Sequence, residues 1–141
     1  MSLYLDASAI VPTLVLEASS PALDGFLAAA TDSLVVSDFA AAEVASALSR
    51  LVRMTSIGRA TAESLLHEFD VWRASSTVGA EVSSADVRLT SILVRRFELA
   101  LRASDALHVA TCQRHDHTLV TLDRRLAAAA TALGVGVNCP A

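Results

Sequence analysis

The segment SLYLDA at residues 2–7 is a short apolar run that ends at an aspartate. Two further segments repeat this pattern, SLVVSD at residues 33–38 and TLVTLD at residues 118–123. Short runs that are apolar throughout are typical of strands buried on both faces of a parallel sheet. We therefore predict strands at 2–5, 33–36 and 118–122, with a possible edge strand at 80–82 and a last strand at 135–137.

The intervals between these runs carry helical patterns. We predict helices at about residues 21–30, 38–53, 61–73, 84–97, 105–115 and 124–133. Strands that alternate with helices indicate an α/β fold with a mainly parallel sheet. The length of 141 residues suits a single domain that spans residues 1–141.

The composition excludes several classes of protein. Hydrophobic residues make up 53% of the chain and charged residues 18%, which excludes a disordered polymer. No apolar run approaches the roughly 20 residues of a membrane-spanning helix, so we expect a soluble protein without a membrane partner. The chain has two cysteines and no basic leader, and both features predict a cytoplasmic location.

Three aspartates occupy related positions in this predicted fold. Asp6 and Asp123 directly follow strands, and Asp105 begins a helix. Ligands of open α/β sheets bind beyond the carboxyl ends of the strands, so we expect these side chains to share one cleft. Each aspartate alone is equally typical of an ordinary helix cap.

A fourth acidic residue, Glu43, lies in the first turns of the helix that follows the second strand. Its helical neighbours Ala40 and Ala47 are small and permit the close approach of another group. Four converging carboxylates repel one another unless some protonate or a cation intervenes. Oxygen ligands favour Mg²⁺ or Mn²⁺ over zinc, and such ions activate water for phosphodiester cleavage.

Four segments of the chain resemble one known family when they are taken in order. They are LYLDASAIV at residues 3–11, AAEVASAL at 41–48, LRASDALHVATC at 101–112 and LVTLDRRLAAAA at 119–130. Together they resemble the PIN domain, and within it the VapC type of toxin ribonuclease from bacterial toxin–antitoxin pairs. The resemblance covers nearly the whole sequence.

This resemblance implies a three-layer α/β/α sandwich and a metal-dependent endoribonuclease. Asp6, Glu43, Asp105 and Asp123 correspond to the acidic quartet of the family, and Ser8 corresponds to the small hydroxyl residue two places after the first aspartate. The resemblance further implies an RNA substrate, a homodimer, and an antitoxin whose carboxy-terminal segment occupies the acidic cleft. Thr121 is interpreted as a strand residue without a role in the site.

Arginine is the only basic residue type besides histidine, because the chain has no lysine. Arg124 and Arg125 directly follow Asp123 at a helix start, where a positive charge is unfavourable to the helix dipole. We therefore expect phosphate contacts from one of this pair, with Arg102 as a further candidate, although ordinary solvated arginines explain the same pattern.

Other functional classes fit less well. A phospho-receiver domain requires a lysine, and a haloacid-dehalogenase-like phosphatase requires a second aspartate where this chain has Ser8. No glycine-rich phosphate loop or dinucleotide fingerprint is present. His108, Cys112 and His115 share one helical face and could suggest zinc, but no fourth ligand has a matching spacing. Two alternatives remain open, a non-catalytic binding module of the same fold and a DNA-directed nuclease.

Overall fold

The computed structural model of the chain describes residues 1–140 and contains one five-stranded sheet. All of the strand pairs are parallel, and the order across the sheet is β3-β2-β1-β4-β5. The strands are β1 (Ser2–Leu5), β2 (Ser33–Ser37), β3 (Val78–Ala80), β4 (Thr118–Val120) and β5 (Val137–Asn138). The predicted parallel α/β architecture is therefore confirmed.

Seven helices cover the two faces of this sheet within residues 1–140. They are α1 (Val11–Leu14), α2 (Ser20–Ala29), α3 (Asp38–Arg53), α4 (Arg59–Ser76), α5 (Ser84–Leu93), α6 (Ala103–His115) and α7 (Arg124–Ala132). Short 3₁₀ turns occur at Ala7–Ala9 and Phe97–Leu99. No helix of this part of the chain has both the length and the apolarity that crossing a bilayer requires.

The pleat of β1 distributes its side chains between two hydrophobic cores. Leu3 and Leu5 point to one face, where they join residues of α1 to α4 such as Val44 and Phe69. Tyr4 points to the opposite face, which is covered by residues of α5, α6 and α7. Alternation along a strand explains this division, and it gives the three-layer α/β/α sandwich.

The strand order places a topological switch point between β1 and β4. From β1 the chain moves outward through β2 to β3, and later it returns to pair β4 with the other side of β1. In sheets of this kind, a crevice opens beyond the carboxyl ends of the strands at the switch point. Asp6 follows β1 directly and Asp123 lies three residues beyond β4, so both aspartates lie at this crevice.

Several predicted boundaries differ from the structure. The edge strand lies at Val78–Ala80 instead of 80–82, because these residues pair in register with Val35, Val36 and Ser37 of β2. Helix α5 ends at Leu93 instead of about 97, and the chain then forms a 3₁₀ turn that closes at Ala100 in the left-handed region with φ 51°. No glycine marks this turn in the sequence.

Candidate metal centre at the carboxyl ends of β1 and β4

Asp6 is the most enclosed acidic residue of the crevice, with 5% of its surface exposed. Its Oδ1 accepts hydrogen bonds from Ser8 Oγ at 2.6 Å and from the Ala9 N–H at 3.1 Å. Its Oδ2 accepts one from Thr121 Oγ1 at 2.6 Å. Burial raises the pKa of Asp6 above its ordinary value, although the hydrogen bonds from Ser8 and Thr121 oppose this effect.

The hydroxyls of Ser8 and Thr121 also join the loops that follow β1 and β4. Ser8 Oγ accepts the Leu122 N–H at 2.9 Å, and Thr121 Oγ1 accepts the Asp123 N–H at 3.1 Å. Thr121 is fully buried, and the expectation that it is only a strand residue was wrong. The available signal was a hydroxyl residue two places before Asp123 in an otherwise apolar run.

Asp105 lies in the first turn of α6 and is half-buried. No hydrogen-bond donor within residues 1–140 contacts its carboxylate, in contrast to Asp6. Burial raises the pKa of Asp105, and the negative charge of Asp123 raises it further. Glu43 and Asp6 add smaller effects in the same direction. Segments far apart in sequence therefore bring four carboxylates close enough to repel one another.

Asp123 caps the amino terminus of α7 and also faces the crevice. Its Oδ1 accepts the backbone N–H groups of Arg125 at 3.0 Å and Leu126 at 3.1 Å, as expected of a helix cap. Within residues 1–140 no donor contacts its Oδ2. Asp123 can therefore be both a helix cap and an acidic residue of the cleft, because Oδ1 caps the helix and Oδ2 remains available to a ligand.

Glu43, on α3, forms a hydrogen bond through Oε1 with His108 Nε2 of α6. His108 is 2% exposed and Glu43 31% exposed, so the pair runs from the core to the surface, where the charge of Glu43 raises the pKa of Asp105. The small residues beside Glu43 do permit a close approach, and the approaching group is the imidazole. Sequence analysis missed this role of His108, although the residue lies one turn after Asp105 on the same helix.

The zinc arrangement considered from the sequence is not present in residues 1–140. His108 is bound to Glu43 and Tyr4, and the His115 ring stacks on His117 with 5.4 Å between centroids. Cys112 is buried, and burial raises the pKa of its thiol, which favours the neutral form. Cys112 therefore acts as a small apolar side chain of the core.

The acidic residues fit a hydrated divalent cation better than a closed metal cage. Within residues 1–140 no three His, Cys, Asp or Glu side chains are arranged to hold an ion together. Mg²⁺ commonly binds through one or two carboxylates and retains several waters. The uncontacted carboxylate of Asp105 and the free Oδ2 of Asp123 suit this mode, and a cation there would relieve the repulsion that raises the pKa of Asp105.

Two cavities flank the crevice and share Asp123 in their walls. One, of about 180 Å³, is lined by Asp105, Arg102 and Arg125 among others. The second, of about 490 Å³, lies on the side of Ser8 and α1. Arg102 and Arg125 are therefore close to the acidic residues, whereas Arg124 is exposed and does not line either cavity.

This fold and this site together define a class of α/β/α proteins whose acidic residues meet at the switch point of a parallel sheet. The sequence profile of the PIN domain matches residues 3–132. The chain belongs to the PIN domain family, whose members are generally nucleases. A search of curated proteins gives no match.

Solved structures of the same fold cover nearly the whole chain. FitAcB from Neisseria gonorrhoeae has a TM-score of 0.75 and 16% identity, over 98% of this chain and 97% of the other. VapBC2 from Rickettsia felis, bound to a promoter DNA fragment, has a TM-score of 0.71 and 15% identity over 98% of both chains. VapC20 from Mycobacterium tuberculosis, a toxin that cleaves the sarcin–ricin loop, has a TM-score of 0.70 and 16% identity, over 90% and 94%. At identities this low, the TM-scores show a shared fold and nothing further about function.

Proposed function

We propose that this chain is a metal-dependent endoribonuclease and the toxin of a VapBC-type toxin–antitoxin pair. The observation that carries the proposal is the Asp105 carboxylate, which has no hydrogen-bond donor within residues 1–140 and whose pKa is raised by burial and by three neighbouring acidic residues. Such a group is stabilised by a divalent cation. Membership of the PIN domain family and the similarity to VapC20 support the nuclease function.

In this proposal Asp6, Glu43, Asp105 and Asp123 hold Mg²⁺ or Mn²⁺, directly or through water. The ion supplies an activated water and stabilises the negative charge of the phosphodiester as it is cleaved. Ser8 and Thr121 hold Asp6 by donating to its two oxygens, which favours the ionised form. The free Oδ2 of Asp123 is available to bind a water of the ion.

Arginine side chains supply the positive charge that the substrate phosphates require. Arg102 and Arg125 line the same cavity as Asp105 and Asp123, and both are exposed. A guanidinium binds two phosphate oxygens at once, which fixes the position of the backbone. Arg124 is the weaker candidate of the three because it lies outside the walls of both cavities.

The proposed partner is an antitoxin whose carboxy-terminal segment enters the acidic crevice. Two further similar structures, with TM-scores of 0.68 and 0.70, are a toxin–antitoxin complex from Klebsiella pneumoniae and VapBC-1 from Haemophilus influenzae. We also propose that residues 1–141 form one cytoplasmic domain and that it assembles as a homodimer. Phe97 is 85% exposed and Ile92 62% exposed, and both large apolar side chains are available for such an interface.

The function is tested with purified protein, freed of any partner, on mixed cellular RNA. Cleavage is expected with Mg²⁺ or Mn²⁺ and not with EDTA. Asp105→Asn should lose at least about 100-fold in rate, while Asp70→Asn, an exposed aspartate on α4, should retain full activity. Cleavage that survives EDTA would contradict the proposal. Cleavage of DNA only, or binding without cleavage, would support the DNA nuclease or the non-catalytic module.

A further inference from the structure

A continuous chain of hydrogen bonds leads from the end of β2 to Glu43. Ser37 Oγ lies 2.8 Å from Tyr4 Oη, and Tyr4 Oη lies 2.7 Å from His108 Nδ1. His108 Nε2 then binds Glu43 Oε1. These four residues come from β2, β1, α6 and α3, so the chain joins both faces of the sheet at the crevice.

The donors and acceptors of this chain fit one consistent direction. An ionised Glu43 can only accept, so His108 Nε2 carries the proton of that bond. With a neutral imidazole, Nδ1 accepts from the Tyr4 hydroxyl, and the Ser37 hydroxyl donates to the Tyr4 oxygen. Ser37 Oγ in turn accepts the Ala40 N–H at 3.0 Å. In this series of hydrogen bonds, each donor then points toward Glu43.

Packing holds the imidazole in place. His108 is almost fully buried, and its ring lies edge-on to Tyr4 with 5.6 Å between centroids. The Phe39 ring contacts it from another side at 5.3 Å. Tyr4 is itself completely buried. Rotation of His108 would break its buried hydrogen bond with Tyr4 and its partly buried one with Glu43, so the position of Glu43 Oε1 is fixed from within the core.

We infer that His108, oriented by Tyr4, is a positioning residue for the metal-binding carboxylate of Glu43. It holds Oε1 and leaves Oε2, which no donor within residues 1–140 contacts, for the cation. This inference rests on the function proposed above. Hydrogen-bonded partners that orient a ligating group typically contribute about 10-fold to 100-fold in metal affinity, because the ligand is held ready for the ion.

Mn²⁺ binding without RNA tests this role, measured by electron paramagnetic resonance and by calorimetry. His108→Met has a similar volume and no donor, and its Kd for Mn²⁺ should rise about 10-fold to 100-fold. His108→Gln retains an N–H donor and should recover part of the affinity. Tyr4→Phe removes only the hydroxyl and should weaken binding by less than His108→Met. His67→Met, an exposed histidine on α4, is the matched control and should bind as the wild type does.

A second measurement needs no substitution in the core. Nitrogen-15 spectra of the wild-type protein should show a proton on His108 Nε2, and Glu43→Gln should shift that proton resonance. A purely structural histidine would change thermal stability without changing the Kd for Mn²⁺. If His108→Met does not fold, the Kd for Mn²⁺ of His108→Gln and Tyr4→Phe decides between the two roles.

The outcomes separate this inference from the proposed function. If the wild type binds Mn²⁺ and Tyr4→Phe, His108→Gln and His108→Met bind it with the same Kd, the positioning role alone is overturned. An unprotonated Nε2 in the wild type would do the same. A wild-type protein that binds no Mn²⁺ would overturn both the inference and the proposed metal dependence.

Discussion

Thr121 donates a hydrogen bond to Asp6 across the switch point of the sheet, with 2.6 Å between Thr121 Oγ1 and Asp6 Oδ2. Both side chains are buried, and they follow β1 and β4 directly. The bond therefore fixes the acidic residue that burial would otherwise favour in its protonated form. We therefore expect the proposed metal centre to require this contact in addition to the carboxylates.

Thr121→Val should lower both stability and activity. The substitution keeps the shape of the side chain but leaves Asp6 Oδ2 without its donor, at a cost of about 1–3 kcal/mol in the free energy of unfolding. The pKa of Asp6 should rise further, so the acidic limb of the pH–activity profile should move to higher pH. Thr118→Val, at the start of β4, is the matched control. An unmoved acidic limb would show that Thr121 does not act on Asp6.

Asp105→Asn should stabilise the metal-free protein while it abolishes activity. Because the pKa of Asp105 is raised in the folded state, its contribution to stability is present below its unfolded pKa of about 3.9 and is lost as the pH rises through the folded value. The gain in the free energy of unfolding should therefore be larger at pH 8 than at pH 4. It should stay below about 1 kcal/mol, because solvent screens a half-exposed group. Urea denaturation in EDTA measures it. Destabilisation at pH 8 would contradict the account.

The loss of stability at acidic pH should depend on Asp86 and not on Asp105. This carboxylate is fully buried, and Arg114 binds it through Nε at 2.5 Å and through Nη2 at 2.9 Å. Burial opposes ionisation, but the hydrogen bonds from Arg114 and Ser83 outweigh it and hold the pKa of Asp86 below its ordinary range. Its contribution is present above the unfolded pKa and is lost as the pH falls through the folded value.

Asp86→Asn should accordingly destabilise the protein at pH 7, because it removes the charge that accepts the two hydrogen bonds from Arg114 and one from the Ser83 N–H. The penalty should shrink as the pH falls below about 4. Glu63→Gln, which breaks the exposed pair with Arg59, should change the stability far less, because solvent screens that pair. Equal effects of the two substitutions in denaturant titrations would refute the importance of the buried pair.

Arg125→Gln should weaken RNA binding in a way that depends on salt. Loss of one phosphate contact lowers the slope of log K against log[salt] by about 0.7 for a single strand. Arg124→Gln is the neighbouring control and should leave the slope nearly unchanged, because Arg124 does not line the crevice cavities. Binding is best measured in an Asp6→Asn background, where the RNA stays intact. A larger slope change for Arg124→Gln than for Arg125→Gln would show that Arg124 makes the phosphate contact.

The sequence predicted the parts of the fold that are encoded locally. Apolar runs that end at Asp6 and Asp123 identified strands, and the switch point then follows from the parallel order. The edge strand was misplaced because its pairing, Val35 with Val78, is decided by contacts across the sheet. The bond between His108 and Glu43 joins residues 65 positions apart, and neither residue signals its partner through helical spacing. Such polar contacts between distant elements require the folded structure.

The most direct test of the central claim is a crystal structure of the protein grown or soaked with Mn²⁺, with anomalous data collected near the manganese absorption edge. The account predicts an anomalous peak at the carboxyl ends of β1 and β4, in contact with a carboxylate oxygen of Asp6 or Asp105, and no such peak in Asp105→Asn. Full Mn²⁺ occupancy at another surface, or a crevice that stays free of metal at saturating Mn²⁺, would contradict it.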